Sequence, residues 1–392
     1  MDNFNFYSPT EFVFGRGREN EVGQMVKKYG GTKALVHFGG GSAVKSGLID
    51  RVTASLEAEQ IPYLLLGGVK PNPRDTLIYK GIELCRKEGI DFIVSVGGGS
   101  VIDSSKAIAA GVLYNGDFWD FYSGKASIEK ALPVGTVLTI AAAGSEGSGD
   151  SVVTQESTGL KRGTGSSALR PRFSVMNPEL TCTLPPFQTA CGCADIMAHV
   201  FERYFTNTTE VEITDRLCEA VLCTIVKEAP RVIADPSNYE ARANIMWAGT
   251  VAHTNVCGVG RSQDWNSHNL EHELSGLYDV AHGAGLAVVM PAWMEFVMPH
   301  NPMRFAQMAN RVFGCAMNFE CPEATALEGI RCFRRFLKEL GLPINFAQLG
   351  AKEEDIPILV DKLGLGDGRT GGFVPLSGED VAMIYHIAAK AT

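Results

Sequence analysis

A group of histidines and one aspartate has the residue types and spacing of a metal site. Three of the eight histidines fall within fifteen residues of one another, and a fourth histidine elsewhere follows an aspartate by four residues. In a helix, side chains four residues apart point from the same face. Imidazole nitrogens and a carboxylate oxygen suit divalent first-row ions such as Fe, Zn, Ni and Mn. The residues that predict this site are Asp195, His199, His268, His272 and His282.

Spacing alone does not decide which histidine of this group is not a ligand. His268 and His272 share a helix face just as Asp195 and His199 do, and His272 can equally relay a proton. Any one such pair is also common in helices that bind no metal, so the prediction depends on the combined set. The four remaining histidines stand alone in the sequence and are assigned to packing or to the surface: His37, His253, His300 and His386.

Two glycine-rich turns predict phosphate binding in the first half of the chain. Each Gly-Gly-Gly-Ser follows an apolar strand pattern and precedes an amphipathic helix pattern, where glycines let a ligand approach the backbone and the helix N-terminus offers free N–H groups to an anion. Such turns also occur in α/β proteins without a ligand, and neither is the GxGxxG fingerprint, but two in one domain favour the functional interpretation. The residues are Gly39, Gly40, Gly41 and Ser42, and Gly97, Gly98, Gly99 and Ser100.

Asp103 follows the second turn and admits two interpretations. With Ser100 it fits a helix N-cap and an acidic residue at the third helical position, an arrangement that needs no ligand. A carboxylate beside a bound anion would need a polar partner, so Asp103 is alternatively placed near the nicotinamide end of a dinucleotide.

The periodicity of apolar residues predicts two domains. Up to about residue 184, short β-branched runs alternate with amphipathic stretches, which is typical of βα units in a mainly parallel sheet. Strands are expected at 34–38, 63–66, 92–96 and 132–140. Beyond residue 184 the spacing is helical, in 194–204, 213–227, 239–253, 305–313, 324–340 and 380–389. We therefore predict an α/β domain over 1–184 and an all-helical domain over 185–392.

Composition excludes several classes of function. The 392 residues carry 35 Lys and Arg against 44 Asp and Glu, a formal charge of −9, so nucleic-acid binding is disfavoured. The N-terminus lacks the pattern of a secretory signal, and no apolar stretch is long enough to cross a membrane. Ten cysteines without paired CxxC motifs are typical of reduced thiols. A soluble cytoplasmic protein is expected.

Several motifs resemble the iron-containing, or group III, alcohol dehydrogenases, in particular the branch of butanol dehydrogenases and broad aldehyde reductases. The resemblance runs along nearly the whole chain. The segments that carry it are Phe12–Gly17, Gly97–Lys106, Gly144–Glu146, Asp195–His199 and His268–Gly283, with Pro291 beyond.

The resemblance implies a fold and assigns roles. The fold is the dehydroquinate synthase-like one, with an N-terminal Rossmann-like dinucleotide-binding domain, a C-terminal helical metal-binding domain and the active site between them. The metal ligands fall on Asp195, His199, His268 and His282. His272 is left for orientation or proton transfer near the nicotinamide, Gly97 to Ser100 line the pyrophosphate site, and Asp103 lies close to the nicotinamide.

The resemblance also bears on the nucleotide. Gly39 to Ser42 would face the adenosine ribose, where NAD-preferring members carry an acidic residue; the small uncharged groups here favour NADP over NAD. Lys161 stands where the NADP-using branch has a cofactor-facing lysine, although a solvated turn lysine is an almost equal interpretation. The family's Pro and Thr ahead of Gly-Ser-Glu are replaced by Ala141 and Ala143, which predicts the loss of a cofactor hydroxyl contact and leaves Thr139 as the nearest hydroxyl.

The predicted function is reversible hydride transfer between NAD(P)H and a small, butanol-like aldehyde or primary alcohol, with a divalent metal, Fe(II) ahead of Zn(II), Ni(II) or Mn(II), as Lewis acid. Apolar residues of the segments expected at the active site suit a short apolar substrate: Trp265, Leu270, Leu274, Phe201 and Val256. The alternatives are a glycerol-dehydrogenase-like polyol oxidoreductase, a dehydroquinate-synthase-like lyase and, less favoured, a nucleotide- or metal-binding protein without turnover. The resemblance also implies a homodimer.

Overall fold

The computed structural model describes residues 1–142 and 144–392, which divide into two compact units. One unit comprises Tyr7–Thr183, and the other comprises Met1–Phe6 together with Leu184–Thr392. The sequence prediction placed the first six residues in the N-terminal domain, whereas the structure groups them with the helical unit. The N-terminal segment is hydrogen-bonded to the helical unit, since the amide of Asp2 donates to the carbonyl of Gly260 at 2.8 Å.

A parallel sheet forms the core of the unit Tyr7–Thr183. Its strands and those of a small hairpin are β1 (Glu11–Phe14), β2 (Ala34–Phe38), β3 (Tyr63–Leu66), β4 (Phe92–Gly97), β5 (Val134–Leu138), β6 (Asp150–Gln155), β7 (Leu160–Gly165) and β8 (Phe173–Met176). Among the described residues, six strands pair in the order β1-β8-β5-β4-β2-β3, all parallel. β4, β5 and β8 are buried along their whole length, as expected of strands covered on both faces. The antiparallel hairpin of β6 and β7 was not predicted.

Helices cover both faces of this sheet. They are α1 (Val22–Lys28), α2 (Ser42–Lys45), α3 (Leu48–Ala58), α4 (Asp75–Glu88), α5 (Gly99–Val112) and α6 (Trp119–Tyr122), with short 3-10 helices at Arg18–Glu21, Ser167–Leu169 and Pro178–Thr181. Because side chains alternate across a strand, Val36 packs into one apolar cluster with Val52 of α3, while the neighbouring Leu35 packs into another with Ile108 of α5. Gly47, in the left-handed region with φ 69°, divides the helical stretch predicted after residue 42.

The other unit is built from helices. They are α7 (Pro186–Tyr204), α8 (Glu212–Ala234), α9 (Tyr239–His253), α10 (Asn266–Tyr278), α11 (His282–Val297), α12 (Pro302–Phe313), α13 (Pro322–Glu339), α14 (Phe346–Leu349), α15 (Ile356–Lys362) and α16 (Gly378–Lys390), with 3-10 helices at Met298–His300 and Glu353–Asp355. α7 is buried from Thr189 to Tyr204, which makes it the central helix. The predicted class, α/β followed by all-α, is confirmed.

Among the described helices, none combines the length and apolar character that crossing a bilayer requires.

Candidate active site

Three helices bring the predicted metal ligands together. α7 supplies Asp195 and His199, α10 supplies His268, and α11 begins at His282. Oδ1 of Asp195 lies 3.3 Å from Nε2 of His199, 3.9 Å from Nε2 of His268 and 3.7 Å from Nε2 of His282. Residues separated by more than eighty positions in the sequence thus point one carboxylate oxygen and three imidazole nitrogens at a common volume.

The donor atoms of this cluster fit a metal ion. Both ring nitrogens of His199 and Nε2 of His268 are buried without a hydrogen-bond partner among the described residues. Buried polar atoms without partners are costly, and a bound cation satisfies imidazole nitrogens directly. Ligand atoms of Asp195, His268 and His282 all lie within 4.8 Å of one another, and His199, which is not part of that mutually close group, joins it through Asp195 at 3.3 Å. The three nitrogens and one oxygen form a site without thiolate, suited to a divalent first-row ion.

His199 is surrounded by aromatic rings. Its ring centroid lies 4.2 Å from that of His253, 4.4 Å from that of His268 and 5.6 Å from that of Trp265. Burial holds the pKa of His199 well below its usual range, and the nearby His253 acts in the same direction. A neutral imidazole is the form that binds a metal.

The imidazoles of His268 and His282 are each hydrogen-bonded to a carboxylate through the ring nitrogen that does not face Asp195. Nδ1 of His268 lies 2.8 Å from Oε1 of Glu202, and Nδ1 of His282 is hydrogen-bonded to Oε2 of Glu271. Both glutamates are fully buried. Spacing gave no signal for either residue beyond their positions near the predicted ligands.

His272 lies beside the cluster. It is half-buried on α10, one turn after His268, and its ring centroid lies 5.7 Å from that of His282. Its ligand atom and those of Glu271 and His282 lie within 4.8 Å of one another. The structure therefore places His272 next to the metal-ligand group.

In the unit Tyr7–Thr183, the second glycine turn packs tightly against the residues that directly follow β5. A Cβ at Gly98 would lie 2.0 Å from Cγ2 of Ile140, so this position accepts no side chain. The amide of Thr139 donates to the carbonyl of Gly97 at 3.1 Å, which brings Thr139 to this turn. α5 begins at Gly99 and directs its N-terminal amides towards the space beyond the turn.

The helix-capping interpretation of Ser100 and Asp103 is wrong. The N-cap of α5 is Gly98, without a side-chain cap, and Asp103 instead ties α5 to the segment that leads into the hairpin. Its carboxylate accepts hydrogen bonds from Oγ of Ser145 at 2.6 Å and from the amide of Val152 at 3.0 Å. Burial raises the pKa of Asp103, although the charge of Lys106 opposes that shift. The carboxylate is thus engaged in holding this segment.

Lys106 is a further buried charged residue of the same helix, present in the sequence motif but given no role there. Its Nζ donates to the carbonyls of Ser145, Ser148 and Asp150 at 2.7, 3.0 and 2.8 Å and reaches the Ser145 hydroxyl at 2.9 Å. Burial lowers its pKa to about 8. Lys106 therefore organises the chain between β5 and β6.

The remaining predicted cofactor positions differ in exposure. Gly40, Gly41 and Ser42 are exposed and Gly39 is half-buried. Lys161 lies in β7 opposite Thr154 and is only 4% exposed, so the solvated-turn interpretation is wrong. Ala141 is half-buried, and Ala143 lies outside the described residues, so the proposed loss of a cofactor contact there stays untested.

Some sequence assignments change with tertiary structure. His253, assigned to packing or surface, contacts the ring of His199 and so lies at the metal-ligand group. Among the apolar residues expected to face a substrate, Leu270, Leu274 and Phe201 are fully buried in the core. Trp265 and Val256 are partly exposed. Trp265 also adopts φ 74°, a strained conformation for a residue with a side chain, at the N-terminus of α10.

The chain matches two family descriptions along most of its length. "Iron-containing alcohol dehydrogenase" matches residues 9–178, and "Fe-containing alcohol dehydrogenase family, C-terminal" matches residues 189–389.

Relatives and solved structures agree with these matches. The chain is 43% identical over 386 residues to the probable NADH-dependent butanol dehydrogenase 2 of Bacillus subtilis, covering 98% of this chain and 99% of that protein. It is 35% identical to the NADPH-dependent aldehyde reductase YqhD of Escherichia coli, covering 93% of each. The crystal structure of NADH-dependent butanol dehydrogenase A from Thermotoga maritima matches with a TM-score of 0.96 at 42% identity, covering 100% of this chain and 99% of that one.

Proposed function

The chain belongs to the iron-containing alcohol dehydrogenase family, and from that premise we propose that it acts on small, butanol-like primary alcohols and aldehydes. Its reaction is NAD(P)-linked interconversion of an alcohol and an aldehyde. The observation that carries the proposal is the convergence of His199, His268 and His282 on Oδ1 of Asp195, all within 3.9 Å.

The residues at this convergence supply the binding site for the family's metal. Asp195, His199, His268 and His282 would hold the ion, since their donor atoms, buried in all but the half-buried His282, match its preferred ligand types. When bound, a divalent ion supplies Lewis-acid chemistry that polarises a carbonyl group. Fe(II) is proposed first, with Zn(II), Ni(II) and Mn(II) as alternatives.

His272 is proposed as the residue that exchanges a proton with solvent. It is half-buried, in contrast to the fully enclosed His199, and its imidazole lies next to His282. An imidazole titrates close to neutral pH, so such a group can deliver a proton to a reduced aldehyde or accept one from an alcohol. Asp103 is proposed to hold Ser145 and Val152 in place through its hydrogen bonds to them, and thereby to support the nicotinamide.

NADP is the proposed nucleotide. The turn from Gly39 to Ser42 carries no acidic side chain that would repel a 2′-phosphate, and the Lys45 side chain extends within 3.5 Å of where a Cβ at Gly41 would lie. Lys161 is proposed as a second cation towards the cofactor. The relatives carry names with NADH and with NADPH, so a direct comparison of both nucleotides is required.

The decisive experiment measures oxidation of NADPH and NADH with butyraldehyde. The protein is first stripped of metal and then restored separately with Fe(II), Zn(II), Mn(II) or Ni(II) under anaerobic conditions. We expect turnover only after metal is restored, with NADPH preferred. Turnover that persists without metal contradicts the metal-dependent mechanism. The absence of turnover with every ion contradicts the proposed activity and favours a polyol, lyase or binding-only function.

Single variants localise the activity to the cluster. His268→Ala and His282→Ala should lose both bound metal and turnover, because each removes one of the ligand nitrogens. His386→Ala is the matched control, since its exposed imidazole pairs with Glu353 on the surface. If His268→Ala retained stoichiometric metal and full activity, the site would lie elsewhere.

Assembly as a homodimer and a cytoplasmic location are also proposed. Light scattering on the purified protein measures the first, and fractionation of cells tests the second.

A further inference from the structure

Glu202 is a fully buried carboxylate one turn after His199 on α7. Its Oε1 lies 2.8 Å from Nδ1 of His268 and accepts the His268 amide at 3.1 Å and the Ser267 hydroxyl. Its Oε2 accepts the amide of Trp265 at 2.8 Å. The same carboxylate therefore fixes both the start of α10 and the orientation of the His268 ring.

Glu271 has the corresponding place behind His282. Its Oε2 is hydrogen-bonded to Nδ1 of His282, and its Oε1 accepts the hydroxyl of Ser275. Gly285, on the next helix, leaves the room that this carboxylate occupies, because a Cβ there would lie 2.7 Å from Oε1 of Glu271. Glu271 reaches His282, the first residue of α11, across the junction of α10 and α11.

These contacts determine which ring nitrogen can bind a metal. A carboxylate accepts, so Nδ1 of each ring must carry the proton and Nε2 keeps its lone pair. Nε2 is the nitrogen that faces Asp195 in both His268 and His282. His199 differs, since neither of its ring nitrogens has a hydrogen-bond partner among the described residues, and its ring is held by packing against His253 and Trp265.

We propose that Glu202 and Glu271 are positioning residues that set the affinity of the site for its divalent ion, by holding His268 and His282 in the tautomer and orientation that bind it. Such partners raise the basicity of a ligand imidazole and restrict its rotation. The inference deepens the proposed function and rests on its metal site. It also assigns an asymmetry: Nδ1 of His268 and of His282 is held by a buried glutamate, whereas the His199 ring is packed against His253 and Trp265.

The test is metal affinity, measured apart from catalysis. Metal-free wild type, Glu202→Gln and Glu271→Gln are titrated with Zn(II) against a chromophoric competing chelator. Each variant keeps the size of the side chain and removes its charge, so Zn(II) Kd should rise about 10- to 100-fold. The visible spectrum of the Co(II)-loaded protein should change as well, because a reoriented imidazole alters the ligand field, an effect that a purely structural role does not produce.

Glu219→Gln is the matched control. Glu219 is also buried, at 5% exposure, but it lies on α8 and accepts from Tyr204 and Arg311 rather than from any proposed ligand. Its Zn(II) affinity should equal that of the wild type. If Glu202→Gln fails to fold because α10 loses its N-terminal acceptor, Glu271→Gln still decides, since it leaves that contact intact.

The possible results separate the two proposals. If folded Glu271→Gln has wild-type Zn(II) affinity and an unchanged Co(II) spectrum, the positioning role is overturned. If His268→Ala loses Zn(II) binding in the same experiment, the metal site itself still stands. Equal Zn(II) binding by wild type and His268→Ala would overturn the metal site itself. We expect a raised Zn(II) Kd in both Glu202→Gln and Glu271→Gln and an unchanged Kd in Glu219→Gln.

Discussion

A buried ammonium group requires a dense set of acceptors, and Lys106 has one. It is fully buried, and three backbone carbonyls and a hydroxyl lie within 3.0 Å of its Nζ. Two of these carbonyls belong to Ser145 and Ser148, which lie outside any strand or helix, and the third belongs to Asp150, the first residue of β6. One side chain thus substitutes for secondary structure beside the second glycine turn.

Replacement of Lys106 by methionine should destabilise the protein strongly. Lys106→Met keeps the length of the side chain but leaves the acceptors buried without their donor, at a cost of about 3 kcal/mol. Urea unfolding measures the loss. Lys45→Met, at an exposed position, should change the free energy of unfolding by less than about 0.5 kcal/mol. Equal stability of the two variants would show that the Lys106 contacts contribute nothing net.

The two Gly-Gly-Gly-Ser turns have different steric requirements although their sequences are identical. At Gly98 a Cβ would meet Ile140 at 2.0 Å, while at Gly40 no atom lies within 4 Å and φ is not positive. Gly98→Ala should therefore destabilise the protein by about 1–3 kcal/mol, in the range of overpacked sites. Gly40→Ala should be neutral or slightly stabilising. Thermal unfolding of both variants measures this difference. Equal melting temperatures would contradict the steric requirement for glycine at position 98.

The capping box of α16 predicts a pH dependence. Oδ2 of Asp380 accepts the Ser377 amide at 2.8 Å, which lowers the pKa of Asp380. Because the folded pKa is below the unfolded value of about 3.9, the contribution is fully present above that value and is lost as pH falls through the folded pKa. Asp380→Asn should cost about 1 kcal/mol at pH 7.

Urea unfolding between pH 7 and 3 checks this expectation. The difference in free energy between wild type and Asp380→Asn should shrink below about pH 4, as the wild-type carboxylate becomes protonated. Asp367→Asn, at an exposed loop position, is the control and should show no such trend. A difference that stays constant down to pH 3 would mean that the charge of Asp380 is irrelevant to the cap.

The two compact units divide the predicted ligands between them. Asp195, His199, His268 and His282 all belong to the helical unit, whereas both glycine turns belong to Tyr7–Thr183. Metal and nucleotide should therefore stabilise different parts of the chain. Zn(II) at about a thousand times its Kd should add about 4 kcal/mol to the unit that binds it.

Removal of metal by a chelator tests this division. The calorimetric transition should move to lower temperature, and turnover should disappear. The Kd for NADPH, measured by its fluorescence, should change less than about threefold. A coupling free energy of about 1 kcal/mol between the two ligands would change that Kd about fivefold, so the expected change corresponds to a smaller coupling. His282→Ala should reproduce the chelated state without a chelator. Loss of NADPH binding on chelation would show that the two ligands do not bind independently.

Local patterns in the sequence determined the elements and the kinds of chemistry. The strands at Ala34–Phe38 and Tyr63–Leu66 and the helix at Tyr239–His253 follow from apolar periodicity, because that period is a property of neighbouring residues. The ligand types of the metal site, such as Asp195 and His199 four residues apart, are local in the same sense. Family membership, predicted from motifs, is confirmed by the family and structural matches.

Contacts between distant residues were decided only by the tertiary structure. Glu202 meets His268 and His253 meets His199 because separate helices pack together, and no spacing rule encodes such a pair. The hairpin that contains the buried Lys161 was missed for a different reason, because its short strands carry only a weak pattern of alternating apolar residues. The sequence thus determined which side chains could bind a metal, and the packing of the helices determined which carboxylates are hydrogen-bonded to those side chains.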